Sequence, residues 1–252
     1  SNRFPEGLGN DSGELGHNLM DHTYRVGAMG TVDGFEDSYY KGRRPNGIYI
    51  PRYVNIDDTT STDKFVRGFG YQGGGGRAGW GAGSNIEDFG ADFKDSLMKP
   101  RGPWEFFITG FGECLPYHEN QVTLDTDSLD KWGQPTLAID AEFKENELAI
   151  NKQIQEDAVE MLERAGVKDI VGFDNKHEPG FGIHEMGTAR MGRDPGTSVL
   201  NSTNQVHACK NVFVTDGACM TSSSCVNPSL TYMALTARAA DHAISEMKKN
   251  NL

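Results

Sequence analysis

No run in this 252-residue chain approaches the roughly 18–20 consecutive apolar residues that a membrane-spanning helix requires. Positive charge is scarce. The chain has 24 Lys and Arg against 36 Asp and Glu, for a formal net charge of −12. That balance argues against nucleic acid or an anionic membrane as the main partner, because phosphates attract clustered cations. Cysteine is sparse too: Cys114, Cys209, Cys219 and Cys225 form no C-x-x-C pair and no zinc spacing. Buried thiols are expected rather than disulfides, and the redox compartment stays open. There is no Gly-Lys-Ser/Thr to close a Walker A loop and no H-E-x-x-H. His177 and His184 are separated by Pro179, Gly180 and Gly182, which exclude a helix that would align them, so no metal site is expected. The opening Ser1-Asn2-Arg3-Phe4-Pro5 lacks an initiator Met and a signal-peptide pattern, and reads as a trimmed start. Location cannot be read; cytoplasm and periplasm both remain open.

Glycine is in surplus: 31 of 252 residues, against a usual share of about 7%. The densest tract, GFGYQGGGGRAGWGAG over 68–83, is expected to be turn or loop. Within it, Gly68-Phe-Gly70-Tyr-Gln-Gly73 matches G-x-G-x-x-G. A dinucleotide fingerprint must open a helix, and the glycines that follow cannot hold one. The match is therefore rejected. Tyr71 and Trp80 in this tract are expected to shape the entrance to a site.

Residues 1–30 read as a loop-dominated leading segment, and 46–56 and 64–71 as strands rich in β-branched and aromatic residues. The run WEFFITGF (104–111) reads as a buried strand. Residues 121–125 and 136–143 read as a strand pair joined by a polar turn. Ile154, Ala158, Met161, Leu162 and Ala165 form an apolar stripe on a helix over 146–165 that Gly166 stops. A second helix runs from Pro228 to Lys249, with Leu230, Met233, Ala234, Ala237, Ala240, Ile244 and Met247 on one face. Before it, Val212–Thr215 reads as a short apolar strand. The fold class is α+β, a mostly antiparallel sheet of about six strands flanked by helices.

The chemistry concentrates in 181–236. His184 precedes a Gly187-Thr188 turn, a strand ends in Asp216-Gly217, and a polar loop reaches Asn227-Pro228 at a helix start. A helix N-terminus carries partial positive charge and free N–H groups that can stabilise an anionic ligand. Asp-Gly at a strand end permits close approach of a ligand. A histidine fixed by a turn can act as a general base near neutral pH. Taken singly, Asn227 as a plain N-cap, His184 as a buried histidine and Asp216-Gly217 as a turn are all ordinary. Their order together carries the signal.

At these residues the chain resembles the glucose–methanol–choline (GMC) family of flavin oxidoreductases. The matching elements are His184-Glu-Met-Gly187-Thr188-Ala-Arg-Met191-Gly192, Val214-Thr215-Asp216-Gly217-Ala218 and Asn227-Pro228-Ser229-Leu230-Thr231. Gly16-His-Asn18-Leu19-Met20-Asp21-His22 resembles the family's G-x-N-L-x-D-H element, and 112–133 the stretch before its substrate-domain helix. In detail the chain looks nearest to bacterial sugar dehydrogenases of the glucoside 3-dehydrogenase type.

The resemblance implies oxidation of a sugar or alcohol CH–OH. His184 takes the hydroxyl proton while hydride passes to the flavin of FAD, and Asn227 hydrogen-bonds the same oxygen. Asp216 and Gly217 are implied near the ribityl or pyrophosphate portion, Ser229 near the ring, and the Pro228 helix start near the pyrimidine, where it favours the anionic reduced form. The family's N-terminal FAD fingerprint is not in this sequence. Residues 1–30 are therefore expected to be a remnant of the FAD domain, 31–192 the substrate domain, and 193–252 the segment that completes the FAD domain. A missing N-terminal half is the expected partner, and the chain alone is expected to be inactive and to bind FAD weakly or not at all. Val212–Thr215 is expected to present an apolar edge open to dimerisation or disorder. Two other readings stand beside this one. The chain could be a carbohydrate-binding domain using Trp80, Trp104 and Trp132 as stacking platforms, or a subunit completing an FAD site in trans.

Overall fold

A computed structural model describes residues 2–35, 47–78, 83–84, 86–99 and 101–252. Among these, the main sheet has five strands: β1 (His22–Val32), β2 (Gly47–Ile50), β3 (Phe69–Ala78), β4 (Arg101–Glu113) and β7 (Lys168–Asp174). Their order is β2-β3-β4-β1-β7, and every neighbouring pair is antiparallel. A hairpin of β5 (Gln121–Leu129) and β6 (Pro135–Asp140) stands apart from it, as does a small hairpin of β8 (Gln205–Val206) and β9 (Cys209–Phe213). The helices are α1 (Ala91–Leu97), α2 (Glu145–Arg164) and α3 (Ser229–Lys248). The α+β class with its antiparallel sheet is as expected from the sequence.

Helix α2 lies across β1, β4 and β7. Its stripe of Ile150, Ile154, Ala158 and Leu162 meets Val26 and Ala28 of β1, Phe69 and Tyr71 of β3, and Ile108 of β4 in the main core. The carboxylate of Glu147, fully buried, accepts from the amides of Lys144 and Leu115, both at 3.0 Å, and so ties the helix start to the chain beyond β4. Gly166 follows with φ +79°, the left-handed stop the sequence predicts.

The glycine surplus serves this packing, which corrects the reading of 68–83 as loop. Residues 69–78 are a strand between β2 and β4. A Cβ on Gly73 would lie 2.8 Å from Ile108 Cγ2, and one on Gly75 would lie 3.2 Å from the Phe106 ring. On β4, a Cβ at Gly110 would overlap Ile154, and one at Gly112 would come within 2.7 Å of Ile150. Bare backbone lets strands and helix approach where side chains would hold them apart. The G-x-G-x-x-G match thus lies largely inside an antiparallel strand and opens no helix. Tyr71 lines no entrance: it is fully buried, its hydroxyl donating to the Ile154 carbonyl at 2.8 Å. Trp80 falls outside the described residues.

Other expectations change as well. The leading segment is turns only as far as about residue 19, and β1 begins at His22 as an interior strand. Residues 51–68 carry no strand, so the expected strands 46–56 and 64–71 are realised only over 47–50 and from Phe69 on. The Val212–Thr215 run enters β9, which ends at Phe213 and pairs with β8. Helix α3 starts at Ser229, with Pro228 as the residue before it. It rests on the body through Leu235 and Ala239, while Leu230, Met233, Ile244 and Met247 are all exposed. Among the described residues no helix is long and apolar enough to cross a membrane.

Candidate functional site

Three segments converge at the end of the sheet where β1 begins and β4 ends. Met20 and Met186 exchange backbone hydrogen bonds of 2.8 and 2.9 Å, which lays 184–186 beside 20–22. Gly187 then donates to the Gly217 carbonyl at 3.2 Å, and Ala189 to that of Ala218 at 2.8 Å, which brings in 216–219. The loop before α3 is pinned to the end of β4 by Ser223. Its hydroxyl accepts from the Cys114 amide at 3.1 Å and donates to the Cys114 carbonyl at 3.2 Å. Met20, Cys114 and Met186 seal the junction as a small apolar cluster.

His184 is half-buried at this rim, its ring 4.9 Å from that of His22 and nearly perpendicular to it. His22 also meets the edge of Phe111. Burial lowers the proton affinity of His22 to a pKa of about 4, helped by repulsion from His184; Asp21 offsets this only in part. The backbones of Gly112 and Ser224 sit close enough to favour a protonated ring. Yet neither nitrogen of His22 meets hydrogen-bond geometry, and Nδ1 of His184 also lacks a bonded partner. Burial lowers the pKa of His184 as well, with Asp21 and then Glu185 opposing. A neutral imidazole held at a rim can accept a proton from a ligand.

Asn227 is exposed on the same loop, and its side-chain oxygen accepts from Gln72 Nε2 of β3 at 2.7 Å. That bond occupies the carbonyl side of the amide and leaves the Nδ2 hydrogens to donate elsewhere. Asp216 caps the short 3-10 turn Gly217–Cys219, its Oδ1 accepting from the Ala218 amide at 3.0 Å. A Cβ on Gly217 would overlap the Glu185 carbonyl and come within 2.9 Å of the Tyr232 hydroxyl. The bareness of Gly217 is therefore already used by its own fold. Pro228 is buried and Ser229 exposed at the start of α3.

Behind the rim, Glu113 is buried and faces Arg67 at 3.6 Å and Arg52 at 3.8 Å. Burial raises its pKa, while the Arg67 and Arg52 charges pull the other way. Sequence reasoning assigned no role to Glu113, Gln72, Asp21 or His22. The last two stood inside the quoted Gly16–His22 motif, whereas Gln72 was masked by the glycine tract around it.

All four cysteines are free, three of them buried, and burial raises the Cys114 thiol to a pKa of about 12. Among the described residues no group of three or more His, Cys, Asp or Glu could hold a metal ion. Trp132 is exposed at the tip of the β5–β6 hairpin with the Lys131 ammonium 4.2 Å from its ring centre. Trp104 is half-buried and donates its indole N–H to the Phe35 carbonyl at 2.9 Å. Neither joins the rim described above.

Residues 116–236 match the C-terminal domain of GMC oxidoreductases. The chain is 33% identical over 254 residues to 2-methyl-1,2-propanediol dehydrogenase of Mycolicibacterium austroafricanum, covering 94% of this chain and 43% of that protein. It is 26% identical to the fructose dehydrogenase large subunit of Gluconobacter japonicus, covering 99% and 44%. It is 32% identical to paromamine 6'-oxidase of Streptomyces fradiae, covering 94% and 40%. The chain thus spans less than half the length of each of these relatives. A solved structure of formate oxidase superposes with a TM-score of 0.53 at 18% identity, covering 95% of this chain and 48% of that one. A related solved structure concerns FAD modification in the Aspergillus oryzae formate oxidase.

Proposed function

Residues 116–236 of this chain are a GMC oxidoreductase C-terminal domain, and from that premise we propose that the chain supplies the proton-handling and substrate-positioning part of an FAD-dependent enzyme oxidising a sugar or alcohol CH–OH. The observation that carries the reading is the rim itself. His184, its ring set against His22 at the start of β1, stands at the end of the sheet to which the Asn227 loop is fixed, through the Ser223 bonds to Cys114 and the Gln72 bond to Asn227 itself.

The residues present fit the reacting end of FAD. The α3 N-terminus offers free amides to negative charge, and with Nδ1 of His184 buried, Nε2 is the ring nitrogen left to meet a ligand. FAD, when bound, supplies the hydride acceptor. His184 accepts the substrate hydroxyl proton on a ring nitrogen that its environment keeps neutral. Asn227 donates from Nδ2 to the same oxygen, because Gln72 holds its carbonyl turned away. The start of α3 at Pro228 and Ser229, with Asp216 and the backbone of Gly217, would hold the cofactor. Burial around His22 excludes water from behind the base.

We further propose that polypeptide beyond these residues supplies the nucleotide cradle. Gly68–Gly73 does not serve as one, because Phe69–Ala78 is a strand. The exposed apolar side chains Leu230, Met233, Ile244 and Met247 of α3 suit burial against that further part. On this reading the chain alone binds FAD weakly or not at all, with residues 193–252 completing the cofactor domain. A strong flavin absorbance from the purified chain at stoichiometric FAD would contradict that.

The experiment for the function is anaerobic mixing of the FAD-loaded full-length protein with sugars, diols and simple alcohols. Loss of the oxidised-flavin band is expected with at least one class, slowed when the carbinol hydrogen is deuterium. No bleaching by any of them would overturn the reading.

A further inference from the structure

We propose that the buried carboxylate of Asp21 is a positioning residue: it anchors the 180–184 loop and thereby sets where the His184 imidazole points. The proposal rests on the reading of His184 as the base. Asp21 is 1% exposed. Its Oδ2 accepts from the amides of Gly180 at 2.7 Å and Gly182 at 2.9 Å. Its Oδ1 accepts from the amide of His22 at 2.7 Å and, more weakly, from that of His184 at 3.4 Å. Amides at 180, 182 and 184 therefore turn inward to one side chain. A buried carboxylate with several backbone donors is a strong, geometrically exacting anchor.

The loop needs such an anchor. Gly180 has φ +107° and Ile183 φ +57°. A β-branched residue in the left-handed region is strained, and such strain persists only where surrounding contacts impose it. Packing at Ile183 does not impose it, since Ile183 is 75% exposed and the neighbouring Phe181, 54% exposed, stacks on His177 rather than on Ile183. The fit is also tight, because a Cβ on Gly182 would overlap Asp21 Oδ1. Three consecutive residues act on one loop. Met20 bridges Met186 beyond His184, Asp21 gathers the amides before it, and His22 sets its ring against the imidazole.

The groups facing His184 are Asp21 and His22 from the segment entering β1 and the adjacent Glu185, and the Asp21 charge favours its protonated form. Asp21→Asn replaces one acceptor oxygen by an NH₂ aimed at backbone donors, and removes the charge. Two readouts on the full chain need no turnover, so they stay distinct from success or failure of the oxidoreductase reading. One is the imidazole NMR titration of ¹³C-histidine-labelled protein, with His184 assigned by His184→Gln. The other is amide exchange over 178–186. Asp21→Asn is expected to move the His184 titration to lower pH and to speed exchange in that stretch by at least about tenfold, while α2 stays protected. An unchanged titration and unchanged exchange would overturn the proposal, as would faster exchange throughout the chain with His184 unmoved. If Asp21→Asn does not fold, wild-type exchange decides. Gly180 and Gly182 amides slower than the Phe181 amide support the anchor, and equal rates overturn it.

Discussion

Acid should destabilise this fold through one histidine, and His22 makes the effect calculable. The ring is 1% exposed, wedged between Phe111 and His184, with neither nitrogen bonded. Its pKa stands at about 4 in the folded chain against 6.5 for an unperturbed histidine. Because the folded value lies below the unfolded one, the unfolded chain binds the extra proton first as pH falls. Stability is therefore unaffected by His22 above about 6.5 and declines between there and about 4. At about 1.4 kcal/mol per pH unit, the whole interval amounts to about 3 kcal/mol. His22→Leu removes the titrating group and two unsatisfied polar atoms at similar volume, so its neutral-pH stability should differ from wild type by no more than about 1 kcal/mol. Urea unfolding followed by tryptophan fluorescence, from pH 7.5 to pH 4, would give both curves. Subtracting the two curves removes the acid sensitivity that the variant shares with the wild type and leaves the part that needs His22. The wild type should lose about 3 kcal/mol more than the variant across this range. Parallel curves would refute the claim that His22 is buried neutral.

The glycines of the sheet provide a paired test. Gly110→Ala drives a methyl into Ile154 and should cost about 1–3 kcal/mol of unfolding free energy, whereas Gly76→Ala, which meets nothing within 4 Å, should stay within about 1 kcal/mol of wild type in the same urea assay. Ile154→Ala empties the centre of the α2 stripe and should cost about 2–5 kcal/mol. Gln72→Leu frees the Asn227 amide to rotate, and in the FAD-loaded full-length protein it should lower kcat/KM about tenfold with folding intact by circular dichroism. Because burial lowers the His184 pKa, kcat/KM should hold its plateau below pH 6.5 before falling on the acid side; a fall centred above pH 6.5 would count against a neutral buried base.

Much of this was readable in the residues themselves. The α2 stripe ends at a glycine that the structure places in the left-handed region, and the β5–β6 hairpin follows from two strand-like runs around a polar turn. Where sequence reasoning failed, the cause was distant in the chain. Glycines 73–76 look like loop because glycine has no side chain to favour a strand. What makes them a strand is β4, some thirty positions on, whose Phe107 and Ile108 need the room. Strand β7 went unread because it is short, interrupted by Gly172, and defined by pairing with β1. The α3 face chosen from periodicity is apolar but exposed, since periodicity identifies a face without saying what covers it. At the rim, His184 and Asn227 could be proposed from sequence because their residue types announce the chemistry they would carry. Asp21 was legible only as part of a motif. Its partners are backbone amides, which leave no trace in residue type.

The central claim is that His184 takes the substrate proton. The direct measurement is the rate of flavin bleaching by a sugar or alcohol under anaerobic single-turnover conditions, in the FAD-loaded full-length protein and in His184→Ala. A general base contributes about 10²–10⁴-fold, so the variant should bleach slower by that factor while retaining its flavin spectrum. A variant that bleaches within about threefold of the wild type would place the proton elsewhere and contradict the account.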